Sequence, residues 1–337
     1  MNVLKQREPL LAAMVVLLVL AVGLRAPAFL TAPSLANLVT DATLLVMLAL
    51  TQMLVIVTRG VDLSVASNLA LCGMVAAMLG AHVPGLPLAL IVLAAVGVGL
   101  LLGLVNGFLI GYLELPPIVV TLGTMSVYRG AVFVLSGGTW VSAHQMPADF
   151  IAFPLDRLLG LPHLVWIAMG AIAVLAWIAR GTRFGRDLYA IGNAPQCAGY
   201  IGIPSARRLL GTYALSGLVA GLCGYLWVAR YAVAYTEIAY GFEFTVIAAC
   251  VIGGVSIGGG VGSVAGATLG ALFLTVIGNA LPVLQVSPFW QSALTGLVIL
   301  FAVLINARGA GRRSRQILPL HTSAAGAPSN ATARSAA

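Results

Sequence analysis

Charged residues are scarce in this chain of 337 residues, where Asp, Glu, Lys and Arg together make up only 8%. A soluble domain carries about 25% charged residues, so this chain could not cover a water-facing surface. Hydrophobic residues make up 61% of the sequence, and the mean hydropathy is +1.06. The composition therefore predicts a protein of the lipid bilayer.

Catalytic motifs are missing as well. The sequence has no HExxH, no GxSxG, no paired-carboxylate pattern and no phosphate-binding GxxxxGKS/T. The four cysteines form no CxxC, so neither a disulfide framework nor a zinc site is expected. The four histidines lie in loops or in the tail and suggest no buried proton relay. We therefore expect no catalytic site, no metal and no cofactor on this chain, and any ATP must be hydrolysed by another chain.

Long apolar runs make up most of the sequence. Because a spanning helix needs about 20 apolar residues, we predict an all-α polytopic membrane protein with about ten transmembrane or re-entrant helices. The predicted segments are residues 9–22, 38–58, 63–81, 86–113, 118–135, 164–179, 209–228, 244–257, 264–284 and 289–305. The third, eighth and ninth are short or interrupted by glycine. Such breaks are tolerated only where the backbone lines a cavity or packs against protein.

Basic residues predict how the segments are oriented. The net charge is +8, but the basic residues fall between apolar spans, so we expect membrane orientation and no nucleic-acid binding. With the N-terminus inside, Lys5, Arg59 and the basic segment 180–208 all lie on the cytoplasmic side. The same side receives the basic residues after position 307, which predicts that both termini are cytoplasmic. The first segment also fits a secretory signal, but we expect an uncleaved span.

The predicted domain organisation is one membrane domain and a tail. Residues 1–307 form the transmembrane domain, with outer loops at 136–163 and 230–243. Aromatic residues in these loops fit either an interfacial belt or a docking surface for an external partner. Residues 308–337 are rich in small and polar residues and are expected to be a disordered basic cytoplasmic tail.

The cytoplasmic segment 180–208 is the one long interior break in the apolar sequence. It is rich in arginine, and Asp187 is its only acid. A short, mildly amphipathic stretch, residues 196–203, lies between Pro195 and Pro204. This pattern fits either an ordinary basic loop between helices or an exposed helix that docks to a partner.

Polar side chains within or beside the spans are the candidates for a translocation path. They are Asp62, Ser64, Ser67, Asn68, Asn106, Thr121, Thr124, Ser126, Tyr128 and Arg129, with Asn279 and Gln291 as weaker candidates. Asp62 could instead cap the helix that follows it, and Asn106 could bond a neighbouring helix. Arg129 must pair, snorkel or face water. The glycine run 253–270 has no basic residue, so it predicts a tight turn between closely packed helices rather than a phosphate loop.

Four stretches carry a combined family signal. They are GVDLSVAS (60–67), PIVVTLGTMSVYRG (117–130), TRFGRDLYA (182–190) and AACVIGGVSIGGGVGSVAGATLG (248–270). Together they resemble the permease family of bacterial sugar ABC importers. SGGTWVSAHQMP (136–147) and GYLWVARYAVAY (224–235) look closest to rhamnose-type permeases, with autoinducer-2-type permeases next. The resemblance implies that residues 1–307 form an importer permease domain in the bacterial inner membrane.

The resemblance also implies partners and an energy source. Such a permease forms a homo- or heterodimer with a second permease, receives its substrate from a periplasmic sugar-binding protein, and is driven by a separate ABC ATPase subunit that holds ATP and Mg. The implied ATPase-coupling residues are Tyr189, Ala190, Gly192, Ala198, Gly202 and Ile203, and Gln196 and Cys197 lie in the same stretch. We predict import of a monosaccharide such as rhamnose, with autoinducer 2 or another sugar-like substrate as the alternative. The alternative class is an ion-coupled secondary transporter.

Overall fold

The computed structural model describes residues 2–283 together with the single residues Gln285, Trp290, Ala293, Gly296, Leu297 and Leu300. The helices in this part of the chain are α1 (Asn2–Arg25), α2 (Ala32–Val57), α3 (Val65–His82), α4 (Leu88–Gly111), α5 (Pro117–Ser136), α6 (Ala148–Leu155), α7 (His163–Gly181), α8 (Arg183–Asn193), α9 (Pro195–Tyr200), α10 (Ser205–Tyr231), α11 (Phe242–Ile252) and α12 (Val264–Val283). Two antiparallel pairs of two-residue strands accompany them: β1 (Val141–Ser142) with β4 (Val233–Ala234), and β2 (Arg157–Leu158) with β3 (Leu161–Pro162). The predicted all-α polytopic architecture is confirmed.

Eight helices of the described chain are long and apolar enough to cross a membrane, namely α1 to α5, α7, α10 and α12. The eighth predicted segment, 244–257, corresponds to α11, which has only 11 residues. At 1.5 Å per residue it is about 16 Å long, too short for a hydrocarbon core of about 30 Å. Most of the predicted span 289–305 lies outside the described residues, and so does all of the predicted tail 308–337.

Contacts between the connecting segments agree with the predicted sidedness. Arg59, between α2 and α3, bonds the carbonyl of Gly192 at the end of α8. At the other end of the bundle, β1 follows α5 and pairs with β4, which follows α10. The segments predicted to be cytoplasmic therefore meet at one end, and the segments predicted to be outside meet at the other.

Helix α2 lies at the centre of the bundle, whereas α1 lies at its edge. In its most apolar 18-residue window, α2 is 89% buried, compared with 11% for α1. Because lipid tails are as apolar as leucine, the exposed leucines of α1 need no protein cover. The central position of α2 makes its inner end the place to which the cytoplasmic segments connect.

Glycines bring α4 and α10 into backbone contact. Gly99, Gly103 and Gly107 recur every four residues along α4, so they share one face. On α10, Gly217 and Gly221 meet this face, and an added Cβ at any of these positions would overlap the backbone of the facing helix. Packing of small residues is the main source of helix association in lipid, so this contact holds the two halves of the chain together.

The glycine run after α11 forms the predicted tight turn between closely packed helices. A Cβ at Gly253 would overlap the carbonyl of Gly266 on α12, and the reverse also holds. Gly254, Gly259 and Gly260 have positive φ angles, a backbone region open to glycine. The turn continues the path of α11 to the inner side of the bundle, where Gly260 N–H donates to the carbonyl of Val57 at 2.8 Å.

Candidate functional site

A buried polar cluster lies at the inner end of α3, with Asp62 at its centre. The Asp62 residue is only 4% exposed. One carboxylate oxygen accepts from the Ser64 backbone N–H at 2.9 Å and from the Ser64 hydroxyl at 2.6 Å. The other accepts from the Ser216 hydroxyl of α10 at 3.2 Å. Burial raises the pKa of the Asp62 carboxyl above its ordinary value of 3.8, and the hydrogen bonds from Ser64 and Ser216 oppose that rise.

The cluster continues into α4 and α5. Asn106 of α4 donates its amide to the Ser64 hydroxyl at 2.8 Å. Tyr128 of α5 donates to the Leu102 carbonyl at 3.0 Å, and its oxygen lies 3.5 Å from the Asn106 amide oxygen. Buried polar groups in a closed network hold their helices in one register. The network therefore ties α3, α4, α5 and α10 together near their inner ends.

Ser216 is a member of this cluster that the sequence reasoning missed. It is fully buried and reaches Asp62 across 154 positions of sequence. A single serine in a helix rich in small residues carries no local signal for such a contact. Its position follows only from the close approach of α10 to the segment before α3.

The other predicted path residues divide between the cluster and the remainder of the bundle. Ser67 donates to the Ser64 carbonyl at 2.8 Å, and Asn68 donates to the Gly99 carbonyl at 3.4 Å. Thr121 donates to the Val61 carbonyl at 3.0 Å, while Thr124 bonds only its own helix. Asn68 and Thr121 therefore connect different elements of the bundle, whereas Ser67 and Thr124 bond locally. Whether they also line a path stays a prediction.

Two of the main predicted path residues, Ser126 and Arg129, lie away from the cluster. Ser126 is on the exposed face of α5 and bonds the Leu122 carbonyl of its own helix. Arg129 donates to the carbonyl of Ile238 in the outer segment before α11 and lies 5.7 Å from the ring centre of Tyr240. It thus pairs within the protein, one of the predicted alternatives. Gln291 lies outside the described residues.

The Asp62 carboxylate bonds Ser64, within the segment that precedes α3, rather than the first turn of the helix. The residue immediately before α3 is Ser64, and its side chain makes no capping hydrogen bond. The carboxylate of Asp62 bonds this residue and, in addition, reaches α10. The predicted capping role therefore describes only part of its contacts.

The cytoplasmic segment 180–208 contains two helices, α8 and α9, whereas the sequence predicted one short amphipathic stretch. On α9, Gln196 and Cys197 are exposed and Ala198 is buried. Tyr200 is 90% exposed and Ile201, the next residue, 73%. Gly202 ends the stretch at a positive φ of 78°. Two large side chains are therefore exposed next to each other at the end of α9.

Helix α8 is joined to the membrane helices by a set of contacts that we call the inner junction, made by Arg59, Tyr189, Gly192, Asn193 and the turn 253–262. Arg59 donates to the carbonyls of Gly192 at 2.7 Å and Asn193 at 3.1 Å. Tyr189 donates to the Gly262 carbonyl at 3.0 Å. Asn193 donates to the Gly260 carbonyl at 3.4 Å. The inner junction therefore connects α8 to the end of α2 and to the turn before α12.

Gly192 is the closest contact in the inner junction. A Cβ at this position would overlap the carbonyl oxygen of Val57 and approach the backbone of Gly260. Only glycine lets α8 approach the inner end of α2 this closely. A second link runs to α10, where Arg208 forms an ion pair with Asp187 of α8 at 2.7 Å.

The coupling residues implied by the family resemblance occupy two different positions. Tyr189, Ala190 and Gly192 are on α8, facing the membrane helices or close to them, and Gly192 is buried. Gln196, Cys197, Ala198, Gly202 and Ile203 are on α9 and the turn after it. The sequence reasoning used Arg59 only to orient the chain and missed its bonds to α8, which join residues 133 and 134 positions apart.

Metal-binding chemistry finds no support in the residues that the structure describes. No group of three or more His, Cys, Asp or Glu side chains in them could hold a metal ion. Three of the cysteines are buried and free, and Cys197 is exposed and free.

Comparisons with known proteins show the family of this chain. The family model described as "Branched-chain amino acid transport system / permease component" matches residues 34–303. A protein from Shigella flexneri named "Autoinducer 2 import system permease protein LsrC" is 34% identical over 294 residues, covering 87% of this chain and 85% of that protein. A protein of the same name from Yersinia pseudotuberculosis serotype O:1b (strain IP 31758) is 36% identical over 269 residues, covering 80% and 76%. No solved structure shows a significant match.

Proposed function

We propose that a separate ATPase binds this chain at α9 and drives its conformational change. The chain belongs to the family of permease components whose model matches residues 34–303. The chain is a multi-pass permease subunit of the inner membrane, a transporter component and not an enzyme. The observation that carries the proposal is the inner junction. It connects an exposed cytoplasmic helix to the centre of the membrane bundle through bonds to the ends of α2 and α8.

The contacts suggest how a movement at α9 would reach the membrane. Closure of an ATPase dimer would displace α9, and α8 would follow because only Ala194 separates the two helices. Through the inner junction, α8 would pull on α2 and on the turn before α12. The Asp62 cluster would carry α3, α4, α5 and α10 as one group. Rocking of the first set of helices against the second is the alternating access that we propose.

The proposed partners follow from the family. They are an ABC ATPase subunit that binds ATP and Mg, a second permease, and a periplasmic binding protein that delivers the substrate. This chain itself would bind no cofactor. The exposed Trp140 near β1 and the exposed Tyr240 before α11 lie on the outer side and are available for a binding protein.

The substrate that we propose is autoinducer 2 or a similar sugar-like molecule. The two relatives described above carry autoinducer 2 import in their names, and they support this alternative better than the predicted rhamnose. Relatedness at 34% and 36% identity is the support for the substrate.

Crosslinking at Cys197 tests the coupling proposal. With a candidate ABC ATPase subunit co-expressed and carrying an engineered surface cysteine, a bifunctional maleimide is expected to join the two subunits through the exposed Cys197, and Cys197→Ser is the matched control. Deletion of residues 194–203 is expected to abolish ATPase stimulation by substrate in reconstituted vesicles. Stimulation that survives the deletion would overturn coupling through α9. Uptake that persists without the ATPase and collapses with an ionophore would instead show an ion-coupled transporter.

A further inference from the structure

A cavity of about 380 Å³ lies between the outer parts of α2, α10, α11 and α12. Its volume falls within the range of small-molecule binding sites, roughly 300–1,000 Å³. The cavity is at the opposite end of the bundle from the inner junction, because its α10 residues, Trp227 and Tyr231, occupy the last turn of that helix. No contact described so far uses it.

One wall of the cavity is aromatic. The Trp227 ring lies 5.1 Å from the Tyr231 ring and 5.0 Å from the Phe242 ring, measured between centroids. Trp227 and Phe242 are in an edge-to-face arrangement, one that aromatic pairs favour. The wall therefore offers rigid apolar faces at the outer side of the membrane, where a ligand can place its C–H groups.

Polar groups converge on another part of the same cavity. Asp41 of α2 forms an ion pair with Arg230 at 2.9 Å, and its other oxygen accepts from Asn279 at 3.4 Å. Arg230 Nε is buried and has no hydrogen-bond partner in the described part of the chain. Asp41, Asn279, Thr245 and Thr275 all line the cavity. An ionisable pair at a membrane helix is a default indication of a functional site.

The pairing of charges indicates what kind of ligand fits. The carboxylate of Asp41 and the guanidinium of Arg230 neutralise each other, so neither presents a free charge to an ion or an amino acid. Amide and hydroxyl groups remain as hydrogen-bond donors and acceptors. An aromatic wall beside these groups suits a ligand that has apolar C–H faces and several hydroxyls.

We propose that this cavity is an outer binding site for an uncharged, polyhydroxylated ligand, the transported sugar-like molecule on its way into the permease. The inference rests on the proposed function for the identity of the ligand. It assigns the entry contacts to Trp227 and Asn279, whereas the main path residues predicted from the sequence lie between positions 62 and 129. Asn279, predicted from the sequence as a weaker candidate for the path, is a lining residue of this cavity.

Gly278 provides a sharp test of this site. It lines the cavity, and a Cβ added to it would meet nothing within 4 Å, so the side chain of Gly278→Leu is expected to extend into the cavity. Gly170 on α7 is the matched control, because it is also helical and exposed with open space in front of its Cβ. Both variants replace glycine by leucine on a membrane helix, and only Gly278→Leu blocks the cavity.

The experiment uses the permease with its ATPase in proteoliposomes, with autoinducer 2 and rhamnose as probes. Binding is followed by the change in tryptophan fluorescence, and Trp227→Phe identifies the share of the signal from this site. Gly278→Leu is expected to weaken binding and slow uptake at least tenfold, while crosslinking at Cys197 is unchanged. Gly170→Leu is expected to behave as wild type. Asn279→Ala, which leaves the aromatic wall intact, is expected to weaken binding severalfold and retain the Trp227 signal.

The outcomes separate this inference from the proposed function. Normal uptake and binding by Gly278→Leu would show that the cavity is not a binding site. The proposal of an ATP-driven permease would be unaffected. If Gly278→Leu abolishes binding but uptake by the wild-type complex does not depend on ATP, the result would support the site and overturn the proposed function. Failure of both probes to change the fluorescence of the wild-type protein would overturn the inference.

Discussion

The two ends of the helical bundle use glycine in opposite ways. At the inner end, Gly192 touches the carbonyl of Val57 so closely that any side chain would overlap it. At the outer end, Gly278 of α12 faces open space in a cavity. The inner end is therefore a close backbone contact, and the outer end is an open space. Glycine permits close approach at one end and leaves room at the other.

The largest effect is expected where the inner contact is removed. Gly192→Ala should lower the stability of the fold by about 1–3 kcal/mol or more, because an extra methyl group has no room. Gly278→Ala should be neutral or stabilising by about 0.4–1 kcal/mol, because it restricts the unfolded chain without a clash. Thermal unfolding of the purified variants in detergent measures both. Equal losses of stability would remove the contrast between the two ends.

The next largest effect is expected in the Asp62 cluster. Asp62→Ala leaves the hydroxyls of Ser64 and Ser216 and one backbone N–H buried without their acceptor, at a cost of about 1–3 kcal/mol. Asp187→Ala is the control, since its ion pair with Arg208 is 21–28% exposed and such pairs contribute about 0–1 kcal/mol. Chemical denaturation measures the difference. An Asp62→Ala variant as stable as Asp187→Ala would show that the cluster does not tie the helices together.

The pH dependence of stability adds to the test of Asp62. Its pKa is raised by burial in the folded protein, so the folded state binds this proton more tightly than the unfolded chain does. Between the ordinary value of 3.8 and the raised value, stability should fall as the pH rises. Asp62→Asn should remove this slope, and the free energy of unfolding against pH measures it. A slope that is unchanged in the variant would contradict the assignment.

A smaller effect on stability and a larger one on coupling are expected at Arg59. Arg59→Gln removes the bonds to the Gly192 and Asn193 carbonyls, and because the residue is exposed we expect a loss of only about 1 kcal/mol. Substrate-stimulated ATPase activity should fall more than stability does. Arg207→Gln, on the same side of the membrane, is the control. Full stimulation in Arg59→Gln would show that α8 does not act through this contact.

The smallest effect is expected at the outer ion pair. Asp41 and Arg230 have side chains 27% and 24% exposed, and a pair of this kind contributes about 0–1 kcal/mol. Asp41→Asn should therefore change the unfolding midpoint less than Asp62→Ala does. Thermal unfolding of both variants checks this order. The reverse order would make the outer end the more rigid of the two.

How much of this fold follows from the sequence depends on the range of each contact. Apolar runs placed the spanning helices because they need only local composition. Glycines in the run 253–270 predicted the turn, since each acts at its own backbone. Contacts over long separations, such as Ser216 with Asp62 or Arg59 with Gly192, had no local signal. The division of the cytoplasmic segment into α8 and α9 was also missed, because Pro195 reads equally well as the end of a loop.

The short helix α11 has a consequence for how the protein enters the membrane. The helix ends after 11 residues and a turn follows. Peptide groups without hydrogen-bond partners are not stable in contact with lipid. The peptide groups of that turn are instead satisfied within the protein, as in the bond from Ser256 to Val261 and that from Gly260 to Val57. We therefore expect α11 and α12 to enter the membrane together as a hairpin that is completed only when α2 is already in place.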